Sequence, residues 1–177
     1  SVAVKVGGKD DVTESKTVWK GSDNTRFASP ILYDDRLYYV STKLLVCLNA
    51  KTHDKIFEGR MKMISGELAP EPSGFGGGGG GGGPGGGGFG GGRGGRGGGG
   101  GFGGGTDYGS PIIADAKLYF TARNGDTYVF TAGKEFNQLA VNRVTTDTED
   151  FSATPAVSNG EIFIRSNKHL YCVSSKK

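Results

Sequence analysis

Apolar residues in this chain come in short runs separated by pairs of turn-forming residues. Ile31-Leu32-Tyr33 gives way to Asp34-Asp35, and Leu37 to Val40 follows. Ile112-Ile113-Ala114 gives way to Asp115-Ala116 before Leu118-Tyr119-Phe120, and Ala156-Val157 is parted from Ile162-Phe163-Ile164 by Asn159-Gly160. Runs rich in Val, Ile, Tyr and Phe bounded by Asp, Asn and Gly read as strands and hairpins. Asn124-Gly125 is the strongest two-residue hairpin signal, because both residues tolerate positive φ. No stretch shows a helical period with caps.

The runs repeat as a set. Ser29-Pro30 with Leu44-Leu45-Val46-Cys47-Leu48, Ser110-Pro111 with Tyr128-Val129-Phe130, and Thr154-Pro155 with Leu170-Tyr171-Cys172-Val173 align as three copies. Pro111 and Pro155 are 44 residues apart. Pro30 and Pro111 are 81 apart, and removing a 32-residue glycine-rich tract leaves 49. Both values match the roughly 40–50 residue period of propeller blades. Val2-Ala3-Val4-Lys5 and Thr17-Val18-Trp19-Lys20 match the third and fourth strands of a copy. The expected architecture is all-β: a partial β-propeller of about three and a half four-stranded antiparallel blades. Its pieces fall at about 1–20, 29–64, 107–145 and 152–177, with an insertion at 70–106. In this register Ala3, Cys47, Val129 and Cys172 occupy one position, which calls for a small apolar side chain on a packed face. Cysteines two blades apart exceed the roughly 7 Å limit for a disulfide. Trp19, Phe57, Tyr38, Tyr119, Phe163 and Tyr171 recur in strand register and are expected to pack between blades.

These copies resemble the bacterial pyrroloquinoline-quinone-type propeller repeat. Its pattern is Ser-Pro, an apolar triplet, Asp-Gly, then Leu-Tyr-Ala-Leu-Asp-Ala-x-Thr-Gly and a later Trp. Residues Ser29 to Thr52 follow it, with Asn49, His53 and Phe57 as departures, and Leu170-Tyr171-Cys172-Val173 matches its third strand. The resemblance implies a closed ring of seven or eight blades, of which this is about half. It therefore implies a C-terminal piece of a longer propeller, with exposed sheet edges and apolar faces met by the remaining blades or by a completing chain. For the parent it suggests an exported or periplasmic bacterial protein. It also implies an interaction role, since related propellers include one that helps assemble outer-membrane proteins.

Composition sharpens this in one place. Of 35 glycines, 26 lie between Gly74 and Gly105. That tract offers little apolar area and is expected to be a disordered surface loop, whose closure cost grows only logarithmically with length. Its Arg93 and Arg96, with interleaved Phe, resemble arginine-glycine-glycine boxes that stack on single-stranded nucleic acid. Two cations support only weak, salt-sensitive contact. The net charge is +3, and no run is long and apolar enough for a membrane span.

No catalytic, cofactor-binding or metal-binding residue emerges. The quinone enzymes of this family use vicinal cysteines, a tryptophan floor and an acidic base, and here no Cys-Cys pair exists and the one tryptophan, Trp19, fits a structural position. His53 and His169 lack a spacing partner for zinc and are read as solvent-exposed. Asp147, Glu149 and Asp150 lack a calcium-loop pattern and are read as a solvated loop. The leading expectation is a noncatalytic scaffold for an unidentified protein partner, without a cofactor. The alternatives are part of a quinone-dependent dehydrogenase, or weak RNA binding through Arg93 and Arg96.

Overall fold

Turn chemistry divides the chain into sheets. The computed structural model describes residues 1–23, 25, 27–69 and 107–175. The first sheet is β1 (Val2–Val4) paired with β2 (Thr17–Lys20), with a single helical turn α1 (Thr13–Lys16) between them. The second is a meander of β3 (Ile31–Tyr33), β4 (Arg36–Ser41), β5 (Leu44–Asn49) and β6 (Lys55–Arg60). The third repeats it with β7 (Ile112–Ala114), β8 (Lys117–Thr121), β9 (Asp126–Thr131) and β10 (Gln138–Arg143). The fourth contains β11 (Ala156–Ser158), β12 (Glu161–Arg165) and β13 (Leu170–Ser174). All pairings are antiparallel. The insertion expected at 70–106, with Arg93 and Arg96, lies outside the described residues.

The first hairpin of each larger sheet turns through two residues of positive φ. They are Asp34 and Asp35 (49° and 58°), Asp115 and Ala116 (48° and 53°), and Asn159 and Gly160 (51° and 78°). Two successive left-handed residues match the right-handed twist of the strands they join. Asn124-Gly125 behaves differently from its sequence expectation. Only Gly125 has positive φ, at 87°, and it closes a wider turn by donating its N–H to the Ala122 carbonyl at 2.9 Å. The Asn124 amide is occupied instead with Asp126, through Nδ2–Oδ2 at 2.9 Å and Asp126 N–Oδ1 at 3.2 Å. Asn124 serves the turn through its side chain, so it has no need of a left-handed backbone.

The sheets stack face to face. In β4–β5, Tyr38 pairs with Cys47 and Val40 with Leu45, placing four side chains on one face. In β8–β9, Leu118 pairs with Phe130 and Phe120 with Tyr128. These eight residues, with Met61 and Ala122, form one buried cluster. Each large apolar side chain so buried contributes roughly 1.5–3 kcal/mol relative to exposure. Polar contacts seal the rim of the cluster. Tyr38 donates its hydroxyl to the Gly133 carbonyl at 2.8 Å. The Gln138 amide accepts the Lys62 N–H at 2.8 Å and donates to the Lys62 carbonyl at 2.7 Å. Phe136 lies so close over Gly59 that a Cβ there would sit 2.1 Å from its ring.

Candidate interaction surface on the three-stranded sheet

A second set of contacts recurs at the segment leading into each sheet. Ser29, Ser110 and Thr154 each precede a proline. The Ser110 hydroxyl accepts the Ser29 N–H at 2.8 Å, and the Thr154 hydroxyl accepts the Ser110 N–H at 2.9 Å. The residue before each hydroxyl is small, and at Gly109 a Cβ would lie 3.0 Å from the Thr121 carbonyl oxygen and 3.2 Å from that of Ala153. In the lead-ins to the third and fourth sheets a carboxylate meets a cation in the second hairpin turn of the preceding sheet. Lys43 pairs with Asp107 at 2.9 Å, and Arg123 with Asp150 at 2.5 Å. The lead-in backbone also docks, with the Phe151 N–H on the Arg123 carbonyl at 3.0 Å. Small residue, hydroxyl, proline and an upstream acid thus form one clasp between successive sheets.

Of the acidic residues expected in a solvated loop, Asp147 is exposed, but Glu149 is buried and Asp150 half-buried. The Glu149 side chain is only 1% exposed. It accepts the Tyr171 hydroxyl at 3.0 Å and pairs with His169 Nδ1 at 2.8 Å. Hydrogen bonding from Ser166, then from His169 and Tyr171, holds its carboxyl below the usual carboxylate range. Asp150 is likewise held low, by the Ser152 hydroxyl and then by Arg123. A buried carboxylate is tolerated because each of its oxygens has a donor.

His53 is also less exposed than expected. It packs on Trp19 with ring centroids 4.4 Å apart and pairs with Asp23 at 2.5 Å. Trp19 in turn donates Nε1–H to the Ala50 carbonyl at 3.0 Å. Asp23 also accepts the Tyr39 hydroxyl at 2.5 Å. The Tyr39 hydrogen bond, followed by His53, lowers the Asp23 pKa. These contacts tie β2 to the second sheet. They make Trp19 and His53 a structural pair.

The two cysteines part company. Both are free thiols; Cys47 is fully buried and Cys172 is exposed. Register makes them equivalents, since Tyr38 opposes Cys47 and Phe163 opposes Cys172. The expectation of a packed face at position 172 therefore fails, because no sheet covers that face among the described residues. The same contrast runs along the strand. Leu45 is 1% exposed and its equivalent Leu170 is 68% exposed. Leu170 and Cys172 are exposed on this face, which half-buried Phe163 shares, and Val2, Val4 and Val18 are exposed on the first sheet. On its other face the three-stranded sheet meets its neighbour across a groove of about 550 Å³ between Tyr119, Val129, Ile162, Ile164, Tyr171 and Val173.

Among the described residues no three His, Cys, Asp or Glu side chains converge as a metal site. No described helix is long and apolar enough to cross a membrane. Neither a family model nor a curated protein matches the chain. Among solved structures it is similar to BamB from Moraxella catarrhalis, with a TM-score of 0.55 and 9% identity, over 89% of this chain and 36% of that one. The chain spans little more than a third of that protein's length. At this identity the likeness establishes the fold. The chain is an all-β partial propeller with sheets of two, four, four and three antiparallel strands.

Proposed function

We propose that this chain is a noncatalytic propeller module, part of a larger quinoprotein-like ring, that works by presenting sheet faces and lead-in segments to a protein partner. The observation that carries this reading is the exposure of Leu170 and Cys172, whose equivalents Leu45 and Cys47 in the second sheet are buried. A face of this kind marks an association surface. The similarity to BamB supports the propeller part of the reading.

A photo-crosslinking residue placed at position 170 in cells producing the protein tests it. One discrete protein adduct is expected from position 170 and none from Lys51, an exposed control position. Adducts of equal intensity from both positions, or none from either, would overturn the proposal. Dye reduction after reconstitution with quinone and calcium would replace it with an oxidoreductase reading.

A further inference from the structure

The chain contains two Asn-Gly pairs, Asn124-Gly125 and Asn159-Gly160, and the fold treats them in opposite ways. An asparagine followed by glycine can lose its side-chain amide without an enzyme. The glycine backbone nitrogen attacks the asparagine Cγ, the Cγ–Nδ2 bond breaks, and the amide leaves as ammonia with the proton given up by the attacking nitrogen. Water then opens the resulting succinimide ring on one of two sides. Cleavage at Cγ gives aspartate, and cleavage at the backbone carbonyl gives isoaspartate. Glycine favours ring closure because it has no Cβ and its backbone is free to adopt the geometry required.

At Asn124-Gly125 both reacting groups are held. Gly125 is buried, and its nitrogen is engaged with the Ala122 carbonyl at 2.9 Å. Asp126 holds the Asn124 side chain at both its nitrogen and its oxygen. The Asp126 carboxylate is itself only 2% exposed and pairs with Arg143 at 2.6 Å. A Cβ at Gly125 would lie 2.7 Å from the Phe151 ring, so this turn cannot swing without displacing the lead-in of the next sheet.

At Asn159-Gly160 neither group is held. Both residues are exposed, and among the described residues no hydrogen bond engages the Asn159 amide or the Gly160 N–H. A Cβ at Gly160 would meet nothing within 4 Å. The turn joins β12 to β11, which has three exposed residues and three register pairs. Such a hairpin opens by local fraying, independently of the core. The charges around it are also unlike those of its counterparts. Asp34 pairs with Arg36 at 2.5 Å and Asp115 with Lys117 at 2.8 Å, each two residues on. Two residues after Asn159 stands an acid, Glu161.

We propose that Asn159 is a site of spontaneous deamidation in the folded protein, that Asn124 is protected from it, and that the modification loosens the first hairpin of the fourth sheet. A neutral amide at position 159 is compatible with Glu161. An aspartate there places two like charges on a hairpin whose counterparts carry opposite ones, and like charges on paired strands are destabilising. An isoaspartate adds one atom to the main chain, which no longer fits a two-residue turn with two left-handed positions.

Incubation of the full chain at mildly alkaline pH, followed by peptide mapping with mass spectrometry, tests this. In the folded protein Asn159 should convert faster than Asn124 by about tenfold or more, since one turn opens by fraying and the other only with the core. In the chain unfolded in urea the two should convert at similar rates. Asn159→Asp should speed amide hydrogen exchange in β11 and β12. Adding Glu161→Lys should return it to that of the parent, by restoring the arrangement of Asp115 with Lys117. Equal rates at the two sites in the folded protein, no conversion at Asn159, or a ratio that persists on unfolding would overturn the proposed protection by the fold. Unchanged exchange in Asn159→Asp would overturn the proposed loosening.

Discussion

The Ser110 hydroxyl accepts the backbone N–H of Ser29 across 2.8 Å, joining two sheets whose sequences lie 81 residues apart. Proline at the next position restricts Ser110 to extended backbone, which fixes where its side chain points. Ser110→Ala should cost about 1–2 kcal/mol, the penalty for a lost hydrogen bond that leaves a donor without its partner. Ser110→Thr should cost less, as threonine already holds this place at Thr154. Urea unfolding midpoints of the two variants provide the comparison.

Backbone strain is located at Ala116, where a residue with a Cβ sits at φ 53°. Ala116→Gly should raise stability by roughly 0.5–1 kcal/mol, because relief of the left-handed penalty exceeds the entropy that glycine adds to the unfolded chain. Gly125→Ala should do the reverse, by about 2–4 kcal/mol. There φ is 87°, and an added Cβ would lie 2.7 Å from the buried Phe151 ring. Thermal melting of both variants tests the pair. Equal and small shifts would contradict the assignment of these turns.

Lys43 and Asp107 form the better buried of the two clasps, with side chains 23% and 12% exposed. A double-mutant cycle with Lys43→Met and Asp107→Asn should give a coupling of about 1 kcal/mol. Partial burial means that moderate salt should reduce this value without abolishing it.

Asp23 sets one part of the acid response. Its folded-state pKa is depressed, by Tyr39 first and His53 next. It therefore contributes stability above the unfolded value of about 3.9, and loses that contribution as pH falls through the lower folded value. Asp23→Asn should flatten the stability profile below about pH 4 and leave its shape at neutral pH unchanged. Chemical denaturation across pH 2.5–6, a range chosen to bracket the roughly 3.9 reference value, is the measurement. An unchanged acid slope would show that Asp23 is not linked to folding.

Strands, hairpins and the repeat were legible because they depend on local residue chemistry. Alternating Tyr38 and Val40, turn pairs such as Asn159-Gly160, and prolines at a regular spacing declare themselves without any knowledge of neighbours. What stayed hidden depends on what lies opposite. Glu149 sits in a run of polar residues that resembles any surface loop, and its burial comes from Ser166, His169 and Tyr171 closing over it from the next hairpin. Cys47 and Cys172 share a register and differ only in whether a sheet covers them, which no local pattern encodes. The clasp carboxylates were visible in principle, since Asp107 and Asp150 stand at nearly the same distance ahead of Ser110-Pro111 and Thr154-Pro155. Their meaning required knowing that Lys43 and Arg123 approach from the preceding sheet.

Face-to-face stacking also sets where the molecule comes apart. β4, β5, β8 and β9 hold most of the sealed interior, whereas β1 and β13 each leave side chains in water. Amide protons in those four strands should outlast all others in deuterium, and the flanking strands should exchange by fraying well before the whole chain unfolds. Its kinetic lifetime is then governed less by its core than by whatever shelters its two flanks.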